Sequence, residues 1–343
     1  MLTGSAVGAP LAAPSEGQGR PCPNAWANPA GRDRFAEFML STFVTLSVNS
    51  VNALAMTEWG AAMGRESLVR QRFATMLSED EGSINLAEAA LLIAQEEYPG
   101  LDVGAYLDRL DRMTHEVEKS FRHDRDEDPL GCVEALNGYL FSDLKFRGNA
   151  EEYYDPRNSF LNEVLDRRTG IPITISTVYL EVGWRLGMPL HGVGFPGHFL
   201  VKYSAEKGEF ILDPFHRGSI LTEKECQSRL DQVYAGGVRF QPDFLAAATK
   251  RQILSRILAN LKGIYVAAKD YRRALAALER MLVINPDLAP EIRDRGILRM
   301  QLNQAPQAIA DLEWYVTTNP QAEDVEEVRK RLRDCRQAQA SLN

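Results

Sequence analysis

Apolar positions recur with a helical period through most of the first half of the chain. Asn85 stands just before the apolar run that ends at Ile93, with Glu88 three positions on, and this pattern predicts a capping box. Pro99 and Gly100 close the segment, and Leu107, Leu110, Met113 and Val117 follow at helical spacing on the next one. The charge-dense stretch HDRDEDP, residues 123–129, reads as a solvated connector. Between residues 159 and 187 the pattern predicts two helices broken at Thr169, Gly170, Ile171 and Pro172, with Pro172 suited to a first helical turn. Three short strands are predicted after Gly187, over 190–195, 198–203 and 209–212. A helix with acidic residues in its first turn follows from Thr222. Helices first and antiparallel strands afterwards predict an α+β layer.

The last third of the chain repeats itself. Asn285 and Pro286 recur as Asn319 and Pro320, an offset of 34, and Ala274, Leu278 and Glu279 recur at the same offset as Ala308, Leu312 and Glu313. That period is the tetratricopeptide signature of paired helices. Two repeats and a final helix fall short of a self-supporting array, so this tail is expected to pack on the region before it. In the final helix Glu326 and Glu327 are expected to pair with Lys330 and Arg331. Its apolar face runs through Val325, Val328, Leu332 and Cys335.

Composition narrows the classes of function. A chain of 343 residues with 45% hydrophobic and 25% charged positions is that of a globular protein with room for a sizeable core. A net charge of −8 supplies no basic footprint for nucleic acid or anionic lipid. No apolar run reaches the ~18 residues of a membrane span. Four scattered cysteines, Cys22, Cys132, Cys226 and Cys335, argue against a zinc site and a disulfide scaffold. A reducing, cytoplasmic setting is expected, with no cofactor and no metal. Residues 1–32 read as a disordered tail or as an extension from an early start codon.

The candidate chemistry lies in GFPGHFLVKYSAEKGEFILDP, residues 194–214. His198 and Asp213 fall on the two strands of an expected hairpin whose turn centres on Glu206, Lys207 and Gly208, with Gly208 supplying a positive φ. Cross-strand neighbours sit ~5 Å apart at Cβ, within reach of a carboxylate–imidazole bond. Such a pair is the orienting half of a Cys-His-Asp or Ser-His-Asp site. Gly194, Pro196 and Gly197 shape the turn that presents His198.

The run RRTGIPITISTVYLEVGWRLGMPLHGVGFPGHFLVKY followed by ILDPF resembles the transglutaminase-like superfamily, and most closely its bacterial SirB-type branch. FRGNAEEYYDPRNSFLNEVLDRR and INLAEAALLIAQEEYPGLDV extend that resemblance, which covers roughly residues 70–340. With the helical pattern over 33–146, it implies a papain-like transglutaminase core with a small antiparallel sheet (147–240) and tetratricopeptide helices (241–343). It also implies that His198 and Asp213 serve a cysteine at the start of the helix beginning near Gly170. That cysteine position falls at about Pro172, and no cysteine lies between 133 and 225.

These residues make the chain a pseudoenzyme candidate, a protein- or peptide-binding module with a repeat tail. Tyr154, Arg157, Asn158 and Pro172 are the candidates for lining its cleft. The alternative is a hydrolase or acyltransferase that uses His198 and Asp213 with Ser176, Thr174, or a sequence-remote Cys132 or Cys226 as nucleophile. Thr174 and Ser176 differ by about 200° around a helix, so at most one of them faces the sheet.

Overall fold

The computed structural model describes residues 68–120, 128–206 and 208–342. Cys22, the tail over 1–32 and most of the charged connector lie outside that range. Four helices open the described chain: α1 (Leu68–Leu77), α2 (Leu86–Glu97), α3 (Val103–Glu118) and α4 (Pro129–Asn137). Asn85 caps α2 by accepting the Glu88 backbone N–H at 3.0 Å. The reciprocal half of the expected box is missing, because the Glu88 carboxylate turns outward to Arg72. Asp128, next to the end of the connector, caps α4 by accepting the Gly131 N–H at 2.8 Å.

Helix α5 (Leu161–Arg167) and helix α6 (Pro172–Arg185) flank the predicted break. Every residue of α6 from Pro172 to Gly183 is buried. It packs on α2, α3 and α5 and on the sheet described next. Each aliphatic side chain it buries contributes about 1.5–3 kcal/mol. Glu181 fixes the docking on α2, where its buried carboxylate accepts the Ala87 N–H at 2.8 Å, in the first turn of that helix.

The sheet has five antiparallel strands in the order β6-β5-β4-β3-β7: β3 (Leu190–Val193), β4 (Leu200–Ala205), β5 (Gly208–Asp213), β6 (Ser219–Leu221) and β7 (Ala247–Ala248). Three of them were predicted from the sequence. Gly208, expected in the turn between β4 and β5, instead pairs directly with Ala205 as the first residue of β5. The edge strand β7 lies beyond residue 240 and pairs with Gly192 and Val193. A separate parallel ladder joins β1 (Arg147–Gly148) to β2 (Thr169–Gly170) beside the start of α6. Helix α7 (Glu223–Tyr234) begins with a full capping box between Thr222 and Glu225.

Five helices complete the chain: α8 (Lys250–Ala267), α9 (Tyr271–Ile284), α10 (Ala289–Gln301), α11 (Ala305–Thr318) and α12 (Val325–Leu342). Helices α9 and α11 are displaced by 34 residues at both ends, matching the repeat in the sequence. The tail shares the main core, which runs without a break from Phe73 to Leu298. Ion pairs of Arg70 with Glu96 (2.8 Å) and Glu279 (3.1 Å), and of Arg273 with Glu97 (2.7 Å), tie α9 to α1 and α2. In α12, Glu327 pairs with Arg331 as expected, whereas Glu326 pairs with Arg329 rather than Lys330.

Candidate functional site

The site is built where β4 and β5 meet the turns at their ends. Phe195 to His198 form a tight turn, closed by the His198 N–H donating to the Phe195 carbonyl at 3.0 Å. Gly197 occupies it with φ +70, a region that side chains strongly disfavour, and a Cβ there would stand 2.8 Å from Val233. His198 therefore sits just before β4 rather than on it, as the sequence reading had it. Asp213 is the last residue of β5 and caps a short 3₁₀ turn, Pro214–His216, by accepting the His216 N–H at 3.2 Å. The Phe215 ring lies over Gly148, where a Cβ would come within 2.4 Å of it, so the turn is seated against β1.

These turns place His198 Nε2 at 3.0 Å from both carboxylate oxygens of Asp213. Two further groups converge on the same carboxylate. His216 Nδ1 lies 2.8 Å from Oδ2, and the Arg229 guanidinium, reaching in from α7, also lies 2.8 Å from Oδ2. Asp213 is 0% exposed, against 12% for His198, 21% for Arg229 and 41% for His216. Burial alone would raise the Asp213 pKa, but the neighbouring imidazoles outweigh it and hold the carboxyl far below the usual carboxylate range. The result is a buried carboxylate, favoured in its ionised form, that orients two imidazoles and a guanidinium.

Neither His216 nor Arg229 was singled out in the sequence. The DPFH string held a signal for the first: a proline after Asp213 favours a tight turn that brings the residue three positions on back to the carboxylate. Nothing in the local sequence pointed to Arg229, which arrives from a separate helix.

The nucleophile candidates are placed very differently. Thr174 Oγ1 is buried at the start of α6, donating to the Asn158 carbonyl at 2.7 Å and accepting the Ile171 N–H at 3.1 Å. It is a structural cap. Ser176 Oγ is also fully buried and has no hydrogen-bond partner among the described residues. Cys226 lies in a small apolar cluster with Phe195, Leu200 and Leu230, and burial pushes its thiol pKa up. Cys132 is buried in the main core.

The four residues expected to line a cleft divide into two pairs. Pro172 and Asn158 are buried. Asn158 is a bracket: its amide donates to the Glu152 carbonyl at 2.7 Å and its Oδ1 accepts from Asn149 at 3.2 Å. Both offer no surface to a ligand, which corrects that expectation. Tyr154 is exposed and meets Tyr153 edge to face, and Arg157 is exposed beside Asp155 at 2.6 Å. Arg167 and Arg168, at the end of α5, are engaged within the protein, with Arg168 donating to the Leu144 carbonyl at 3.0 Å.

Comparison with known proteins bears on this arrangement. Residues 104–259 match the transglutaminase-like superfamily, and residues 261–333 match the tetratricopeptide repeat. A UPF0162 protein of Xylella fastidiosa (strain 9a5c) is 37% identical over 274 residues, 78% of this chain and 96% of that protein. A UPF0162 protein of Vibrio cholerae is 32% identical over 247 residues, 71% of this chain and 90% of that protein. F-box only protein 21 of Mus musculus is 34% identical over 166 residues, 45% of this chain and 26% of that protein. No solved structure matches the chain. With its His-Asp turn set in a transglutaminase-like domain and followed by tetratricopeptide helices, the chain belongs to the UPF0162, or SirB-type, family.

Proposed function

We propose that this chain is a non-catalytic member of the transglutaminase-like superfamily, a module that binds an extended peptide or protein segment. The observation that carries this reading is the start of α6. The resemblance puts the superfamily's thiol position at about Pro172, the first residue of that helix, and Thr174 Oγ1 two positions on is engaged by backbone bonds. His198 and Asp213 persist as a fixed polar turn beside that helix, and exposed Tyr154 and Arg157 supply an aromatic face and a charge for a ligand. Tetratricopeptide repeats generally mediate protein interactions, and the tail offers a second surface for the same partner. The shared segment also occurs inside the much longer F-box only protein 21, as a portable binding module would. A reducing, cytoplasmic setting fits the three described cysteines, all of them buried.

The rival reading, a hydrolase or acyltransferase, has one observation in its favour, the unpartnered Ser176 Oγ. Its complete burial opposes that role, because a substrate carbonyl must reach the attacking oxygen. The two are separated by fluorescence anisotropy with a panel of extended peptides, followed by mass analysis of the recovered peptide. Binding that survives Ser176→Ala and returns intact peptide is expected. Cleaved or acyl-transferred peptide whose formation depends on His198 and Ser176 would overturn the proposal.

A further inference from the structure

The role of His216 goes beyond orientation. His198 Nε2, an Asp213 carboxylate oxygen and His216 Nδ1 all lie within 4.8 Å of one another. The separations from Oδ2 are 3.0 Å for His198 and 2.8 Å for His216. Ligands bound tetrahedrally at about 2.0–2.1 Å stand about 3.4 Å apart, so to admit an ion each imidazole would retreat from the carboxylate by about 0.4–0.6 Å while any wider separation within the set closes. The backbone already fixes all three groups. Gly197 sets the His198 turn, β5 ends at Asp213, and the Asp213 cap holds His216. The half-exposed His216 ring gives an ion a path from solvent, while the buried carboxylate supplies the negative charge.

We propose that His198, Asp213 and His216 form a three-ligand site for a divalent transition-metal ion of the zinc type, with the remaining position open to water. Two imidazoles and one carboxylate suit zinc, cobalt or nickel rather than calcium or magnesium, which prefer all-oxygen shells. The cation that faces this set is Arg229, whose Nη atoms lie 2.8 Å from Asp213 Oδ2 and 3.3 Å from His216 Nδ1. In the metal-free protein the guanidinium neutralises the carboxylate, and metal entry displaces it toward solvent. Arg229 is thus a built-in competitor that lowers affinity for the ion. The site requires no peptide ligand and no nucleophile, so it stands or falls separately from the binding function.

The test is a calorimetric titration of the chelator-treated full chain with Zn²⁺, with the visible absorption of Co²⁺ as a second readout. Saturable one-to-one binding is expected for the wild type. Affinity should fall at least ~10-fold in His198→Ala and His216→Ala and rise in Arg229→Gln. His216 is exposed enough that its alanine variant should keep the wild-type melting curve, which guards against a folding artefact. Absence of saturable binding to the wild type, or an unchanged affinity in His216→Ala, would overturn the site.

Discussion

Two hydroxyls on the first turns of α6 show how far residue type alone misleads. Thr174 and Ser176 read equally well as nucleophiles, yet one is bonded to backbone on both sides and the other is buried without a partner. Their stabilities under substitution should therefore diverge. Thr174→Val strands the Ile171 N–H and the Asn158 carbonyl and should cost about 1–3 kcal/mol. Ser176→Ala removes an unpartnered buried hydroxyl and should be neutral or slightly stabilising. Urea denaturation of both variants checks the contrast, and equal losses would contradict the assigned roles. The His198–Asp213 pair was legible because a short hairpin converts sequence spacing into proximity. Arg229 was not, because no local rule connects a residue on α7 to the end of β5.

Turns carry the site at the level of elements. Gly197, at φ +70 and 2.8 Å from Val233 at the position of a Cβ, fixes the direction from which His198 approaches Asp213. Gly197→Ala combines left-handed backbone strain of about 1–2 kcal/mol with a clash against α7. We expect the melting temperature to drop by several degrees and Zn²⁺ affinity to fall with it, although no ligand atom is changed. A variant with unaltered stability would show that the turn relaxes freely. The helices were readable from caps and period, including the break before Pro172 and the 34-residue step from α9 to α11. The strands β1, β2, β6 and β7 were not, since two or three residues carry no alternation to detect. Helix α6 hid its orientation for a related reason: it is buried all round, so its sequence marks no preferred face.

Across the whole molecule, the repeat tail and the transglutaminase-like domain are one body. Ala274, Leu278, Met281 and Leu282 of α9 belong to the same core as Leu91, Val178 and Leu212. Within the tail, buried Lys262 joins α8 to α10 through Asp294 at 3.0 Å and through Glu291. Those two carboxylates outweigh the burial that alone would lower the Lys262 pKa, and they raise it instead. Deleting residues 253–343 to isolate a function of the tail would open this core, so point substitutions on the exposed surface are the sound way to probe it. The sequence announced the repeat and its need for support, because two repeats cannot cover their own apolar faces. Which helices supplied that support depended on ion pairs such as Arg70 with Glu279, formed between residues far apart in the chain. The proposed non-catalytic function requires that, among the described residues, no attacking atom serves His198 and Asp213. Intact-mass spectrometry of the full chain after exposure to a reactive acyl or amide probe tests it most directly. The wild type and His198→Ala should both remain unmodified. A stoichiometric adduct on the wild type that disappears in His198→Ala would contradict the claim.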